Sequence, residues 1–169
     1  LRNLKTFIAR FLDEIEQLNV YYETTCDSCK EKGIITKTIF DREDFTSNPV
    51  IKEIHYNCNC SKKILRKDSS EEDYLMMNEM EQYYQINFVR NVELLSNTRI
   101  AVYKGQKISD IFTKRNFYII DKVLEIIKTF NEEEQELLNY ILLSSLHLSK
   151  ITDTHSNSQW PLWTPKKNC

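Results

Sequence analysis

Cys26-Asp-Ser-Cys29, followed about 30 residues later by Cys58-Asn-Cys60, decides how the first half of the chain is read. Two thiols at i and i+3 in a tight turn grip one tetrahedral ion from one side, and a second pair brought back by a returning strand closes the site. Cys26, Cys29, Cys58 and Cys60 are therefore the candidate ligands of a structural Zn²⁺. The second pair is C-x-C where common ribbons carry C-x-x-C, so structural thiols or a disulfide stay open as alternatives. A disulfide needs an oxidising compartment, no signal-peptide core is present, and Cys169 is left over as a fifth thiol. His55, three residues before Cys58, is an alternative fourth ligand set against an ordinary strand histidine.

Around these cysteines the composition is that of strands. Val20-Tyr-Tyr22, Ile34-Ile-Thr-Lys-Thr-Ile-Phe40 and Val50-Ile-Lys-Glu-Ile-His-Tyr56 are β-branched and aromatic, with Gly33 and Thr46-Ser-Asn-Pro49 between them. Residues 20–67 read as a small β ribbon with cysteines at its turns, stabilised by metal because so small a sheet buries little apolar surface.

Outside the ribbon the period is helical. Leu4, Phe7, Ile8, Phe11, Leu12, Ile15 and Leu18 form one apolar face of a helix within residues 1–19. The Ser69-Ser-Glu-Glu72 box predicts a helix start running to about Tyr84, and Arg99–Tyr103 reads as a short extended piece. Thr113 is the expected N-cap of a helix lined by Phe117, Ile120, Val123, Leu124 and Ile127. Asn131-Glu-Glu-Glu134 opens the next helix and completes an antiparallel hairpin. The expected fold is α+β, a mainly helical domain (residues 68–169, with the 1–19 helix packed on it) carrying a small cysteine-bearing ribbon.

Of the 169 residues only Gly33 and Gly105 are glycine, which leaves no glycine-rich loop for a nucleotide or S-adenosylmethionine. No serine, histidine and carboxylate spacing suggests a triad, and His147 and His155 read as structural or solvated. With a net charge of −2 the chain is not a bulk polycation, so any nucleic-acid contact must be local. Local candidates are Lys62, Lys63 and Arg66 beside the ribbon, and Lys114 and Arg115 in the first turn after Thr113. Two cations at a helix N-terminus oppose its dipole, which implies an anionic partner such as phosphate, or nearby carboxylates. Tyr83, Tyr84, Trp160 and Trp163 are either base-stacking or core aromatics. Apolar runs fall well short of the roughly 20 residues that span a bilayer, so no membrane partner and a cytoplasmic placement are expected. A chain that opens on Leu1 and closes on Pro165-Lys-Lys-Asn-Cys169 is expected to be a piece of a longer protein.

Ile108-Ser-Asp-Ile-Phe-Thr-Lys-Arg-Asn-Phe117, the hairpin after it, Leu142-Leu-Ser-Ser-Leu-His-Leu-Ser-Lys150 and Trp163-Thr-Pro-Lys-Lys-Asn168 together resemble the middle region of a group of bacterial DNA methyltransferases of restriction-modification type. In that family a D-[IL]-F-T-x-R-N stretch opens a helix, Ser-Ser followed by Ser-Lys ends the next, and a zinc ribbon lies upstream. The family's D-P-F-x-G-x-G cofactor loop and Asp-Pro-Pro-Tyr motif are missing here, since Pro49, Pro161 and Pro165 sit in neither. The resemblance implies an insert between two catalytic halves, with structural Zn²⁺ of its own. S-adenosylmethionine would be bound only by the full-length parent, which methylates an adenine or cytosine amino group after base flipping. DNA and the parent's catalytic halves are the implied partners. The other reading is a stand-alone zinc-ribbon module that binds nucleic acid or protein as a regulator.

Overall fold

In a computed structural model the described residues are 2–41, 50–82, 88–95 and 104–149. The expectations for Tyr83, Tyr84, Arg99–Tyr103, His155, Trp160, Trp163, the Ser-Lys end at Lys150 and Cys169 lie outside them, as does the side chain of His147.

α1 (Arg2–Glu16) runs directly into a 3₁₀ helix, Gln17–Tyr22. Val20-Tyr-Tyr22, expected as strand, is thus helical, and its two tyrosines turn toward α3 (Lys114–Ile127). Tyr21 meets Tyr118 edge-on at 5.4 Å, and the Tyr22 hydroxyl donates to Asn116 Oδ1 at 2.8 Å.

The sheet follows. β1 (Glu23–Thr25), β2 (Lys32–Asp41), β3 (Val50–Asn57) and β4 (Leu65–Asp68) pair antiparallel in the order β1-β2-β3-β4. This corrects the expected fold: the α+β class and the preponderance of helix stand, but the β part is a full four-stranded sheet with its own core, not a small ribbon. Leu65-Arg-Lys-Asp68, which in sequence has the look of a charge run, supplies the fourth strand, with Ile54↔Lys67 and Tyr56↔Leu65 in register. Burial along β3 alternates so that Ile54, Tyr56 and Cys58 face inward together. They join Cys26, Ile35 and Ile51 in a cluster that Tyr22, Phe40, Leu65 and Tyr74 cover.

α2 (Glu71–Gln82) starts on a capping box one residue later than expected: the Ser70 amide donates to Asp73 Oδ2 at 2.9 Å, and the Asp73 amide returns to Ser70 Oγ at 3.3 Å. Asp73 wins the cap over Glu72 because its shorter carboxylate also reaches Thr24 Oγ1 (2.6 Å) and Lys67 Nζ (2.9 Å).

α3 opens as expected. Thr113 accepts from the Asn116 amide at 3.1 Å, and Phe117, Ile120 and Ile127 are buried. Removing this cap in Thr113→Ala should cost about 1 kcal/mol of stability, read from the midpoint of urea unfolding at unchanged slope. α4 (Glu132–Ser149) begins with Asn131 Oδ1 accepting the Glu134 amide at 3.0 Å. The α3–α4 hairpin closes on α1 through Phe11, Ile127, Phe130 and Leu138, with Phe11 edge-on to Phe130. A third cluster, Phe112, Phe117 and Ile120, seats Val89. There the buried Asp121 carboxylate accepts both the Phe88 and the Val89 amide (2.8 and 2.9 Å), pinning that segment to α3. Among the described residues no helix is long and apolar enough to cross a membrane.

Candidate metal centre

Both cysteine turns leave the sheet at one end. Thr25↔Lys32 is the last pair before the β1–β2 turn that holds Cys26 and Cys29, and Ile34↔Asn57 brings the end of β3 beside it. The first turn is closed by Cys26 N–H to Glu31 O and Lys30 N–H to Cys26 O, both 2.9 Å. Lys30 takes a left-handed backbone (φ 64°) to close it, a conformation that costs a non-glycine residue roughly 1–2 kcal/mol. After β3, the Ser61 amide donates to Cys58 O at 3.0 Å and folds Cys60 back.

These turns bring the sulfurs of Cys26, Cys29, Cys58 and Cys60 within 4.8 Å of one another. Cys26 Sγ lies 3.7 Å from Cys60 Sγ, and Cys29 Sγ lies 3.4 Å from Cys58 Sγ. All four are free thiols, with each close approach joining one turn to the other. Four sulfurs about 2.3 Å from a central ion stand about 3.8 Å apart in a tetrahedron, so the donor set fits a metal ion. Four thiolates fill such a site and leave no position for a catalytic water.

The thiols are unequal. Cys26 is wholly buried, and its pKa is pulled down to about 6, first by the Cys29 amide, then against burial by the Tyr56 hydroxyl and the Ser28 amide. Cys29 receives the Glu31 amide yet is raised by its Cys58 neighbour and by burial. Cys60, exposed and crowded by Cys58, Cys29 and Cys26, is pushed up to about 12. Without metal the cluster thus gathers negative charge on Cys26, and a dication stabilises the remaining thiolates.

His55 is not part of the set. It lies on the opposite face of β3, where Nε2 meets Glu53 Oε1 at 2.6 Å. Tyr56, which no motif singles out, touches Cys26 Sγ with its hydroxyl at 3.6 Å. The signal for it is its place two residues before Cys58 on a strand, hence on the same face.

Of the candidate nucleic-acid residues, Lys62 and Lys63 are exposed in the loop between Cys60 and β4, and Arg66 is exposed on β4 with Nε 3.9 Å from Glu53. Lys114 is exposed on the first turn of α3. Arg115 must be corrected: at 6% exposure it cannot reach a phosphate. Its guanidinium stacks 4.6 Å over the Tyr22 ring and donates to Thr38 Oγ1 at 3.3 Å, so it ties α3 to β2. Burial lowers its pKa, and Tyr22 and Asp73 oppose that. Asn116 completes the tie, donating to Ser149 O at 2.6 Å while accepting from Tyr22. The residues of Asp110–Asn116 therefore spend much of their chemistry inside the molecule.

The fold and site define an α+β protein with a cluster of four cysteines, able to hold a metal ion, at one end of an antiparallel sheet. Comparison of the chain with protein-family models, with curated proteins and with solved structures finds no match.

Proposed function

We propose that the chain is a zinc-stapled scaffold segment of an S-adenosylmethionine-dependent DNA methyltransferase of restriction-modification type, carrying no methyl transfer of its own. The observation that carries the scaffold role is the closed donor set: Cys26, Cys29, Cys58 and Cys60 would hold Zn²⁺ with four thiolates, and the ion would supply rigidity rather than catalysis. The link to methyltransferases rests on the resemblance of Asp110-Ile-Phe-Thr-Lys-Arg-Asn116 and its neighbours. Inward use of Phe112, Thr113, Arg115 and Asn116 supports a structural role for that stretch. Leu137, Tyr140, Ile141 and Leu148 stand exposed on α4, which suits a segment covered by further chain.

The reading is tested on the native gene. Flanking sequence should hold a glycine-rich cofactor loop and an Asp-Pro-Pro-Tyr motif, and the parent should transfer methyl groups to duplex DNA. A reading frame that begins near Leu1 and stops at Cys169 overturns it in favour of a stand-alone zinc-ribbon regulator.

DNA contact is a separate part of the proposal and rests on Lys62, Lys63, Arg66 and Lys114. Replacing the four with alanine should weaken DNA binding and flatten log K against log salt by about 0.9 for each phosphate no longer neutralised. Equal affinity and slope would move DNA binding off this segment.

A further inference from the structure

We propose that Tyr56 is a positioning residue of the metal centre, its hydroxyl holding the Cys26 thiolate in place and drawing off part of its charge. The inference rests on the reading that the four cysteines take a metal ion. Tyr56 is 1% exposed, so its hydroxyl has few partners to choose from. The Asp27 amide donates to that oxygen at 3.2 Å, and Cys26 Sγ lies 3.6 Å away. A phenol has one proton to give. With a backbone N–H already occupying the oxygen as acceptor, the proton is directed at the sulfur.

The ring reaches this position because residue 33 has no side chain. A Cβ there would stand 2.8 Å from Tyr56 Cδ2 and 2.8 Å from Asn57 O. Gly33 on β2 thus admits the tyrosine ring from β3, and the ring carries its hydroxyl to the end of the sheet where the first cysteine turn begins. Groups that bond to metal ligands fix ligand orientation and tune the metal, and their loss typically lowers affinity 10- to 100-fold.

The test uses the whole chain and Co²⁺ as the probe, with Zn²⁺ affinity measured by competition against a chromogenic chelator. In Tyr56→Phe the sulfur-to-cobalt charge-transfer band should move to lower energy, and Zn²⁺ should bind about 10-fold more weakly. Tyr74→Phe is the control. Its hydroxyl donates to Ile51 O at 2.7 Å in the same core, so its loss removes a hydrogen bond but touches no sulfur. A band and affinity in Tyr56→Phe equal to those of the unaltered chain overturn the proposal alone. An unaltered chain that gives no tetrahedral cobalt spectrum overturns the metal reading and the proposal with it. If Tyr56→Phe does not fold, the unaltered chain loaded with cadmium-113 decides. Scalar coupling between the Tyr56 hydroxyl proton and cadmium supports the proposal, and a resolved hydroxyl proton without coupling overturns it.

Discussion

Chelation of the metal is expected to unfold the sheet. Protein purified without added zinc should contain one zinc per chain by elemental analysis, and excess chelator should lower the melting temperature and abolish the near-ultraviolet signal of Tyr56. The physical reason lies in the sheet's core. Two of its six buried members are Cys26 and Cys58, and β1 and β4 are only three and four residues long. Structural zinc contributes about 10–16 kcal/mol in small peptides that fold around it, which is as large as the roughly 6–12 kcal/mol that burying Ile35, Ile51, Ile54 and Tyr56 supplies. The effect should depend on which ligand is removed. Cys26→Ser leaves a buried oxygen among donors arranged for sulfur, whereas Cys60→Ser changes an exposed group and should be milder. Metal affinity should also fall as pH drops, because Cys29 and Cys60, both raised, must lose protons to bind. Substoichiometric zinc with an unchanged melt in chelator would make these four cysteines ordinary thiols.

Features encoded by spacing alone are legible in the sequence. The i, i+3 thiols of Cys26 and Cys29, the period of Phe117, Ile120 and Ile127, and the caps at Thr113 and Asn131 each depend on a few neighbouring residues, and the structure holds each of them. What is not legible depends on partners distant in sequence. Val20-Tyr-Tyr22 has strand composition, yet its tyrosines find Asn116 and Tyr118 on α3 and the backbone stays helical to meet them. Leu65-Arg-Lys-Asp68 has the composition of a solvated run, but Lys67 faces inward because Asp73 waits there. Arg115 has the sequence position of a phosphate ligand, a cation at a helix N-terminus that needs an anion or carboxylate. The cation is instead taken up inside the molecule, stacked on the Tyr22 ring and donating to Thr38 Oγ1, with its buried Nε left without a partner among the described residues. Composition cannot tell a ligand outside the chain from one inside it.

Lys67 and Asp73 carry the second large expected effect. Both side chains are 3% exposed, and their ends meet at 2.9 Å. Asp73 also accepts from Thr24 Oγ1, from the Ser70 amide and from Ser70 Oγ, so one carboxylate joins β1, β4 and the start of α2. Lys67→Met leaves that carboxylate without its counter-charge and should cost about 3–5 kcal/mol, whereas Lys67→Met with Asp73→Leu should recover part of the loss because neither charge is then stranded. Acid should break the pair from the other side, leaving the Lys67 ammonium without its counter-charge. Burial pushes the Asp73 pKa up, but the hydrogen bonds from Ser70, Thr24 and Lys67 outweigh it and hold the carboxyl below its ordinary value. A carboxylate depressed on folding contributes stability that is fully present above its unfolded pKa, about 3.9, and is lost as pH falls through the lower folded value. Urea unfolding of the zinc-loaded chain at pH 7 separates this pair from the thiolates, which release metal as the solution is acidified. A Lys67→Met penalty below about 1 kcal/mol would mean that the pair is solvated as a surface salt bridge is, and that the sheet and α2 are joined by apolar packing and by hydrogen bonds such as Thr24 to Asp73 and Tyr74 to Ile51 O.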